Sequence, residues 1–133
     1  MRVLSAQEEK NRRLLRVRDA MDRDYRLPLD VPALAALALS SEAHFSRRFK
    51  AVFGETPARY LHRRRIERAM SLLRRTDLTV EQVCRDVGFT SLATFSRRFK
   101  EVVGQTPSAF RATGPAPAAQ VPTCFEKAWT RPR

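Results

Sequence analysis

A repeated segment is the feature that most constrains what this chain can fold into. The heptad HFSRRFK at residues 44–50 returns as TFSRRFK at residues 94–100, and ten of the seventeen positions are identical between residues 44–60 and 94–110. Two copies are too few for a solenoid, which needs about three stacked units to bury a continuous core. The repeat therefore predicts two similar small units within a chain of 133 residues.

The charge balance indicates a polyanionic partner. The chain has 26 Lys and Arg against 14 Asp and Glu, which gives a net charge of +12 and a pI near 11.3. Such a basic domain favours nucleic acid, with an acidic membrane surface as the second choice. Residues 41–76 carry a net charge of +7, and residues 77–113 carry a net charge of +1. We therefore expect the first copy and the segment after it to supply more of the sequence-independent attraction.

Several classes of protein are disfavoured. The first residues contain no apolar signal segment and no run reaches the roughly 18 apolar residues of a membrane span, so we expect a cytosolic protein without a membrane partner. Two histidines and two separated cysteines lack metal-ligand spacing, so neither a metal nor a cofactor is expected. Cys84 is predicted to be a small core residue, and Cys124 belongs to the tail. No nucleophile–base set, carboxylate pair or glycine-rich phosphate loop is present, which disfavours an enzyme.

Helical periodicity and capping residues predict a helix-turn-helix in the first copy. We expect an amphipathic helix over residues 8–23 and a short apolar helix within residues 29–39, with Asp30 as its N-cap. A further helix is expected over residues 42–53, where Ser41 is placed to cap it and Gly54 to end it.

The second copy repeats this pattern after a long connector. Thr79 is a candidate cap for its first helix, and Thr90 or Ser91 caps its second, which ends at Gly104. Between the copies, Pro57 begins a connector helix of about 18 residues, ~27 Å long. We predict an all-α fold of two helix-turn-helix subdomains joined by this helix, with an N-terminal lobe at residues 1–55, the connector at 56–76, a C-terminal lobe at 77–112 and a Pro/Ala-rich tail at 113–133.

The repeated helix has one face for a core and another for a ligand. On a helical wheel, Phe45, Phe49 and Val52 form a compact apolar face, and Phe95 and Phe99 of the second copy are expected to be buried in the same way. The opposite face holds Ala43, Arg47, Ser46 and Lys50 in the first copy, and Ala93, Arg97, Ser96 and Lys100 in the second. Arginine donates two hydrogen bonds to guanine, and small residues let a helix approach the floor of the major groove. A plain solvated surface is the alternative, and the duplication of the whole face favours DNA.

Other arginines flank these faces. Arg48 and Arg98 lie beside the apolar face and are expected to meet phosphates or acidic side chains rather than bases. The run of Arg63, Arg64 and Arg65 in the connector is either solvated surface or a set of phosphate contacts.

The segment VCRDVGFTSLATFSRRFKEVVGQTPSAFR at residues 83–111 resembles the DNA-binding module of the AraC/XylS family of bacterial transcription regulators. It has that family's VGF turn, its FSRxFK helix and its G-x-TP close with an aromatic residue and an arginine. The resemblance extends over about residues 11–112, where the connector's RRRIERAMSLL is similar to a helix of that family.

The resemblance implies a seven-helix, two-lobed domain whose recognition helices enter successive major grooves on one face of double-stranded DNA. It implies that bases are read by Ala43, Ser46, Arg47, Ala93, Thr94 and Arg97. The expected phosphate contacts are Ser41, Arg48, Lys50, Arg63, Arg64, Ser91, Ser96, Arg98 and Lys100. Members of the family commonly activate transcription by contacting RNA polymerase, so we expect an activator at the bacterial nucleoid.

Two features differ from the family's usual pattern. The first turn reads ALALSS, where the family usually has a glycine followed by an apolar residue and then serine. Most relatives also have a separate effector or dimerisation domain, so the chain resembles the small stand-alone members. Because it already holds two reading helices, we expect a monomer.

Two other functions stay open at this point. A non-sequence-specific nucleic-acid-binding module would also be basic, although the stacking aromatic residues typical of such binders are lacking. A repair protein that uses Cys84 or Cys124 as an alkyl acceptor would need an activated thiolate, and no histidine or basic pair flanks either cysteine in a recognisable motif.

Overall fold

The computed structural model describes residues 3–114, and within them it contains seven α-helices and no β-strand. The predicted all-α class is therefore confirmed. The helices are α1 (Ala6–Asp24), α2 (Val31–Leu37), α3 (Glu42–Phe53), α4 (Pro57–Arg75), α5 (Val80–Asp86), α6 (Leu92–Val103) and α7 (Pro107–Ala112). Most of the tail predicted at residues 113–133, including Cys124, lies outside the described residues.

Side-chain caps explain where the helices begin, and glycines explain where two of them end. The Ser91 hydroxyl oxygen accepts a hydrogen bond from the backbone N–H of Thr94 at 3.2 Å, so α6 is capped by Ser91 rather than by Thr90. Gly54 and Gly104 end α3 and α6 in the left-handed conformation, as predicted. The other side-chain N-caps that accept a backbone N–H in this way are Ser5, Asp30, Ser41, Thr56, Thr79 and Thr106.

The first compact unit extends to Leu61 and is centred on aromatic residues of α3. Phe45 and Phe49 are at most 1% exposed, and the ring of Phe49 meets that of Tyr60 edge to face with centroids 5.7 Å apart. Because Tyr60 and Leu61 belong to this core, the start of α4 is part of the first unit. The core neighbours are Leu14, Val17 and Met21 from α1, Leu34 and Ala35 from α2, and Ala38, the C-cap of α2.

The second compact unit begins at His62. Phe99 of α6 packs against Phe110 of α7, with ring centroids 5.5 Å apart. The segment predicted as a separate connector is thus divided between the units, since the remainder of α4 belongs to this second core. Residues that are at most 2% exposed in this unit are Ile66, Ala69, Leu73, Val83, Cys84, Val87, Phe95 and Phe99.

The turns of the two helix-turn-helix motifs differ by one residue. Each contains one residue with positive φ, which is Leu39 in the first turn (φ 54°) and Gly88 in the second (φ 100°). The N-cap Ser41 follows Leu39 by two residues, whereas Ser91 follows Gly88 by three. The first turn therefore keeps the left-handed conformation without a glycine, which costs about 1–2 kcal/mol for a residue with a Cβ atom.

Backbone hydrogen bonds show which residues of the two turns are equivalent. The N–H of Ser40 donates to the carbonyl oxygen of Ala35 at 3.0 Å, and the N–H of Phe89 donates to that of Cys84 at 3.0 Å. Both bonds span five residues and close the turn directly after the residue with positive φ. Ser40 is therefore the counterpart of Phe89, so a small polar side chain occupies in the first unit a position that is aromatic in the second.

Candidate nucleic-acid interface

The outward faces of α3 and α6 are fixed by what these helices bury. Phe45 and Phe49 hold α3, and Phe95 and Phe99 hold α6, each with no more than 1% of its surface exposed. Side chains four residues apart lie on one face of a helix, so the residues on the opposite side of each helix point away from the core. The predicted apolar face is confirmed at these four positions. Val52, which the helical wheel placed on the same face, is 39% exposed.

The face of α3 opposite its phenylalanines is small and cationic. Ala43, Arg47 and Lys50 are exposed, and Ser46 is half-buried beside them. Within residues 3–114, no acidic side chain pairs with Arg47 or Lys50. This part of α3 therefore offers two positive charges and one hydroxyl next to a residue too small to block a close approach.

The corresponding face of α6 has the same composition. Ala93, Arg97 and Lys100 are exposed, and Thr94 and Ser96 are half-buried. No carboxylate among the described residues pairs with Arg97 or Lys100. The structure thus places the six predicted base-reading residues as two sets, three on α3 and three on α6.

The flanking arginines Arg48 and Arg98 are engaged with their own units. Arg48 Nη2 donates a hydrogen bond to Asn11 Oδ1 at 2.8 Å, which links α3 to α1. Arg98 Nη1 forms an ion pair with Glu101 at 3.2 Å on α6 itself. Of the two partners predicted for these arginines, a phosphate or an acidic side chain, Arg98 has the second in the structure.

The arginines of α4 that were predicted to contact phosphates lie against protein. Arg63 is 7% exposed, and its Nη1 is 3.9 Å from Glu67 Oε2. Arg64 forms a hydrogen-bonded ion pair with the same carboxylate. A guanidinium held in this way reaches a DNA phosphate only after leaving its partner and its packing.

Three other arginines of α4 are exposed: Arg59, Arg68 and Arg75. The spacing of the buried Ile66, Ala69 and Leu73 contains a signal for the last two, because it turns them toward the opposite side of the helix. The division of α4 also decides how the charged residues are shared between the two units. Residues 3–61 contain 11 basic and 8 acidic residues, whereas residues 62–114 contain 11 and 5. The larger net charge therefore lies in the second unit.

Burial alters the titration of two groups beside Phe89. The pKa of His62 is lowered by desolvation and then by the positive charges of Arg98 and Arg65. Burial also lowers the pKa of Arg65, whose guanidinium carbon lies 5.8 Å from the centre of the Phe89 ring. These groups pack the second unit and face its core rather than a ligand.

Cys84 has the environment of a structural residue. It is 2% exposed, and desolvation raises the pKa of its thiol. Its Sγ lies 3.8 Å from the carbonyl oxygens of Phe89 and Ser91. A reactive acceptor needs an accessible thiolate of lowered pKa, so this site does not support alkyl transfer through Cys84.

The described part of the chain offers neither a metal site nor a membrane span. Residues 3–114 contain no cluster of three His, Cys, Asp or Glu side chains that could hold a metal ion. No helix in the same range is both long enough and apolar enough to cross a bilayer.

Comparison with known sequences identifies relatives among transcriptional regulators. A family model described as a helix-turn-helix domain matches residues 34–113. The HTH-type transcriptional regulator CdhR of Pseudomonas aeruginosa is 34% identical over 114 residues, which are 84% of this chain and 34% of CdhR. The HTH-type transcriptional regulator AlkR of Acinetobacter baylyi is 33% identical over 64 residues, or 48% of this chain and 21% of AlkR. The chain thus spans about a third or less of these relatives.

Solved structures with the same fold include one bound to DNA. The DNA-binding domain of the global transcriptional factor AdpA, in complex with a target DNA, has a TM-score of 0.72 and 32% identity, with 75% of this chain and 90% of that one covered. An AraC-type regulator from Chromobacterium violaceum has a TM-score of 0.69 and 27% identity, with 77% and 92% covered. Since the family model covers more than half of the chain and these neighbours share its fold, the chain belongs to the AraC-type helix-turn-helix family, a family of DNA-binding transcription regulators and not of enzymes.

Proposed function

We propose that this chain regulates transcription by binding a specific site on double-stranded DNA, with α3 and α6 as its two reading helices. The observation that supports this most directly is the repeated outward face. Each helix buries its phenylalanines and presents an exposed alanine with an arginine four residues later that no described carboxylate neutralises. The structure of the AdpA domain with its target DNA adds support from a relative of 32% identity.

The proposed base contacts come from the middle of each face. Arg47 and Arg97 donate paired hydrogen bonds to guanine O6 and N7, and Ala43 and Ala93 allow the close approach that those bonds require. Ser46 and Thr94 are half-buried hydroxyl residues at the edges of the two faces and complete the two sets.

The proposed phosphate contacts come from the ends and flanks of the same helices. Lys50 and Lys100 are exposed and near the ends of α3 and α6. A cap serine uses its oxygen as an acceptor and still has its hydroxyl proton to donate to a phosphate. Arg63 and Arg64 do not belong to this set, because both pair with Glu67 and Arg63 is also buried. The proposed phosphate set is Ser41, Arg48, Lys50, Ser91, Ser96, Arg98 and Lys100.

The mode of regulation is a further part of the proposal. The family resemblance favours an activator that contacts RNA polymerase in the cytoplasm, at the nucleoid. Two reading helices in one chain favour binding as a monomer. In-vitro transcription from a selected site, with and without the protein, distinguishes activation from repression, and sedimentation of the protein–DNA complex gives the number of chains bound.

The test of specific binding combines site selection with matched variants. DNA sequences bound by the full chain are selected from a random pool, and Arg47→Ala and Arg97→Ala are then titrated with the best site and with scrambled DNA. Each variant should lose about 1–3 kcal/mol on the best site and much less on scrambled DNA, because a base contact is lost. Arg85→Ala is the matched control, since this exposed arginine of α5 lies outside both reading helices.

The rival function predicts a different pattern. A non-sequence-specific nucleic-acid-binding module would select no common site, and both arginine variants would lose the same affinity on both DNAs. Either result would remove the base-reading assignment. Equal losses on both DNAs would identify Arg47 and Arg97 as phosphate contacts.

A further inference from the structure

A cleft in the first unit lies where an aromatic ring lies in the second. Ser40 and Phe89 are counterparts by their backbone hydrogen bonds, and Phe45 and Phe95 are counterparts by the repeat. In the second unit the Phe89 ring is 5.3 Å from that of Phe95, centroid to centroid, and only 5% exposed. In the first unit a serine replaces that ring, and a cleft of about 70 Å³ lies beside Phe45.

The residues of α1 that border the cleft also have counterparts on α4 of the second unit. Buried residues at identical spacing align α1 with α4, namely Leu14, Val17 and Met21 with Ile66, Ala69 and Leu73. This alignment places Lys10 and Arg13 where His62 and Arg65 lie in the second unit. There, the His62 ring is 5.4 Å and the Arg65 guanidinium carbon 5.8 Å from the centre of the Phe89 ring. In the first unit, Lys10 and Arg13 line the cleft instead.

The cleft combines a buried apolar floor with a cationic rim. The Ser40 hydroxyl donates a hydrogen bond to the backbone carbonyl oxygen of the next residue, Ser41, at 3.2 Å. No Asp or Glu lines the cleft, and within residues 3–114 no acidic side chain pairs with Lys10 or Arg13. The floor is formed by Leu14, Ala38 and Phe45, and the rim by Lys10, Arg13 and Arg48.

The geometry points to a binding site for a small aromatic monocarboxylate. Its ring rests on Phe45 beneath Lys10 and Arg13, in the position that Phe89 occupies in the other unit. Its carboxylate stays at the open mouth and accepts hydrogen bonds from Arg13. Ring burial and the charge-assisted hydrogen bonds act together, so neither a ring nor an anion alone fits as well. Ligand binding at this site does not require the proposed DNA recognition, so it can be measured without DNA.

Phenylacetate is the probe, because its benzyl group is the side chain that the cleft lacks. The full chain is titrated without DNA at constant ionic strength, and binding is followed by calorimetry and by NMR shifts. Phenylacetate should bind about tenfold more tightly than acetate, which lacks the ring, or benzyl alcohol, which lacks the charge. The largest shifts should fall on Leu14, Ala38 and Phe45, while Phe95 should not respond.

Variants locate the site. Ser40→Phe fills the cleft and should abolish phenylacetate binding while the circular dichroism spectrum stays helical. Arg13→Gln keeps the cleft open and should weaken phenylacetate about tenfold without changing benzyl alcohol binding. Arg16→Gln, at an exposed position of α1 that does not line the cleft, should leave both unchanged.

Three outcomes would overturn the inference. Equal affinity for phenylacetate and acetate would show a general anion surface, of the kind that meets DNA phosphates. Undiminished binding to a folded Ser40→Phe variant would place the ligand elsewhere. If Ser40→Phe does not fold, equal phenylacetate affinities of Arg13→Gln and Arg16→Gln would exclude the site.

Discussion

The hydroxyl of Tyr60 donates a 2.8 Å hydrogen bond to Asp22 Oδ1, which joins the start of α4 to α1 within the first unit. The counterparts of these residues in the second unit are Phe110 and Arg74. There, the guanidinium carbon of Arg74 lies 3.9 Å from the centre of the Phe110 ring. The two units therefore close the same contact with different chemistry, a carboxylate accepting from a phenol in one and a cation over an aromatic face in the other.

The first prediction concerns this hydrogen bond. Tyr60→Phe should lower the free energy of unfolding by about 1.5 kcal/mol, near the low end for a bond to a charged acceptor, because Asp22 has other interactions. Urea unfolding measures the loss. In an Asp22→Asn background the same change should cost less, and an equal cost in both backgrounds would show that the two residues are not coupled.

The second prediction tests what holds α6 in place. Phe95 is fully buried, so Phe95→Ala should destabilise the protein by about 3–5 kcal/mol through lost burial and a cavity. Leu92→Ala, at a residue of the same helix that is 44% exposed, should cost far less. Thermal unfolding of both variants gives the comparison. An unchanged melting temperature for Phe95→Ala would mean that the buried face of α6 is assigned wrongly.

The sequence was sufficient for the parts of the structure that local rules determine. The caps Asp30, Ser41 and Thr79 and the burial of the repeated phenylalanines follow from spacing alone. The roles of Arg63 and Arg64 were not accessible in this way. α4 gives core residues to two units and so has no single buried face, and a charged run on such a helix does not reveal which guanidinium groups are packed.

The third prediction uses the first turn, whose conformation the sequence ALALSS did not reveal. Leu39 has a φ of 54° and is 74% exposed, so Leu39→Gly removes strain and little packing. We expect a gain of about 0.5–1 kcal/mol, because part of the relief is lost to the greater freedom of glycine in the unfolded chain. Leu37→Gly is the matched control at another exposed leucine. Leu37 is helical, so that change should destabilise by about 1 kcal/mol. A loss of stability in both variants would refute the strain argument.

The fourth prediction is a pH dependence of stability from His62. Its pKa in the folded protein is below the ordinary value, mainly because burial disfavours the charged form. The unfolded chain therefore binds more protons once the pH falls below about 6.5, and stability is lost as the pH falls from there toward the folded pKa. Melting temperatures at about pH 7.5 and about pH 5.5 should show a drop that is smaller in His62→Gln. His44→Gln, at the exposed histidine of α3, should keep the full drop. A full drop in His62→Gln would assign the effect to other groups.

The last prediction separates packed arginines from those that meet DNA. Each phosphate contact releases counterions, so removing one should reduce the slope of log affinity against log salt by about one. Lys50 is exposed on α3, and Lys50→Ala should show this reduction on specific and scrambled DNA alike. Arg64 is paired with Glu67, so Arg64→Ala should leave the slope unchanged although it reduces the charge of the chain equally. Salt titrations of both variants on one selected site provide the comparison. A slope reduced by one in Arg64→Ala would mean that the ion pair opens on DNA and that this arginine belongs with the phosphate contacts after all.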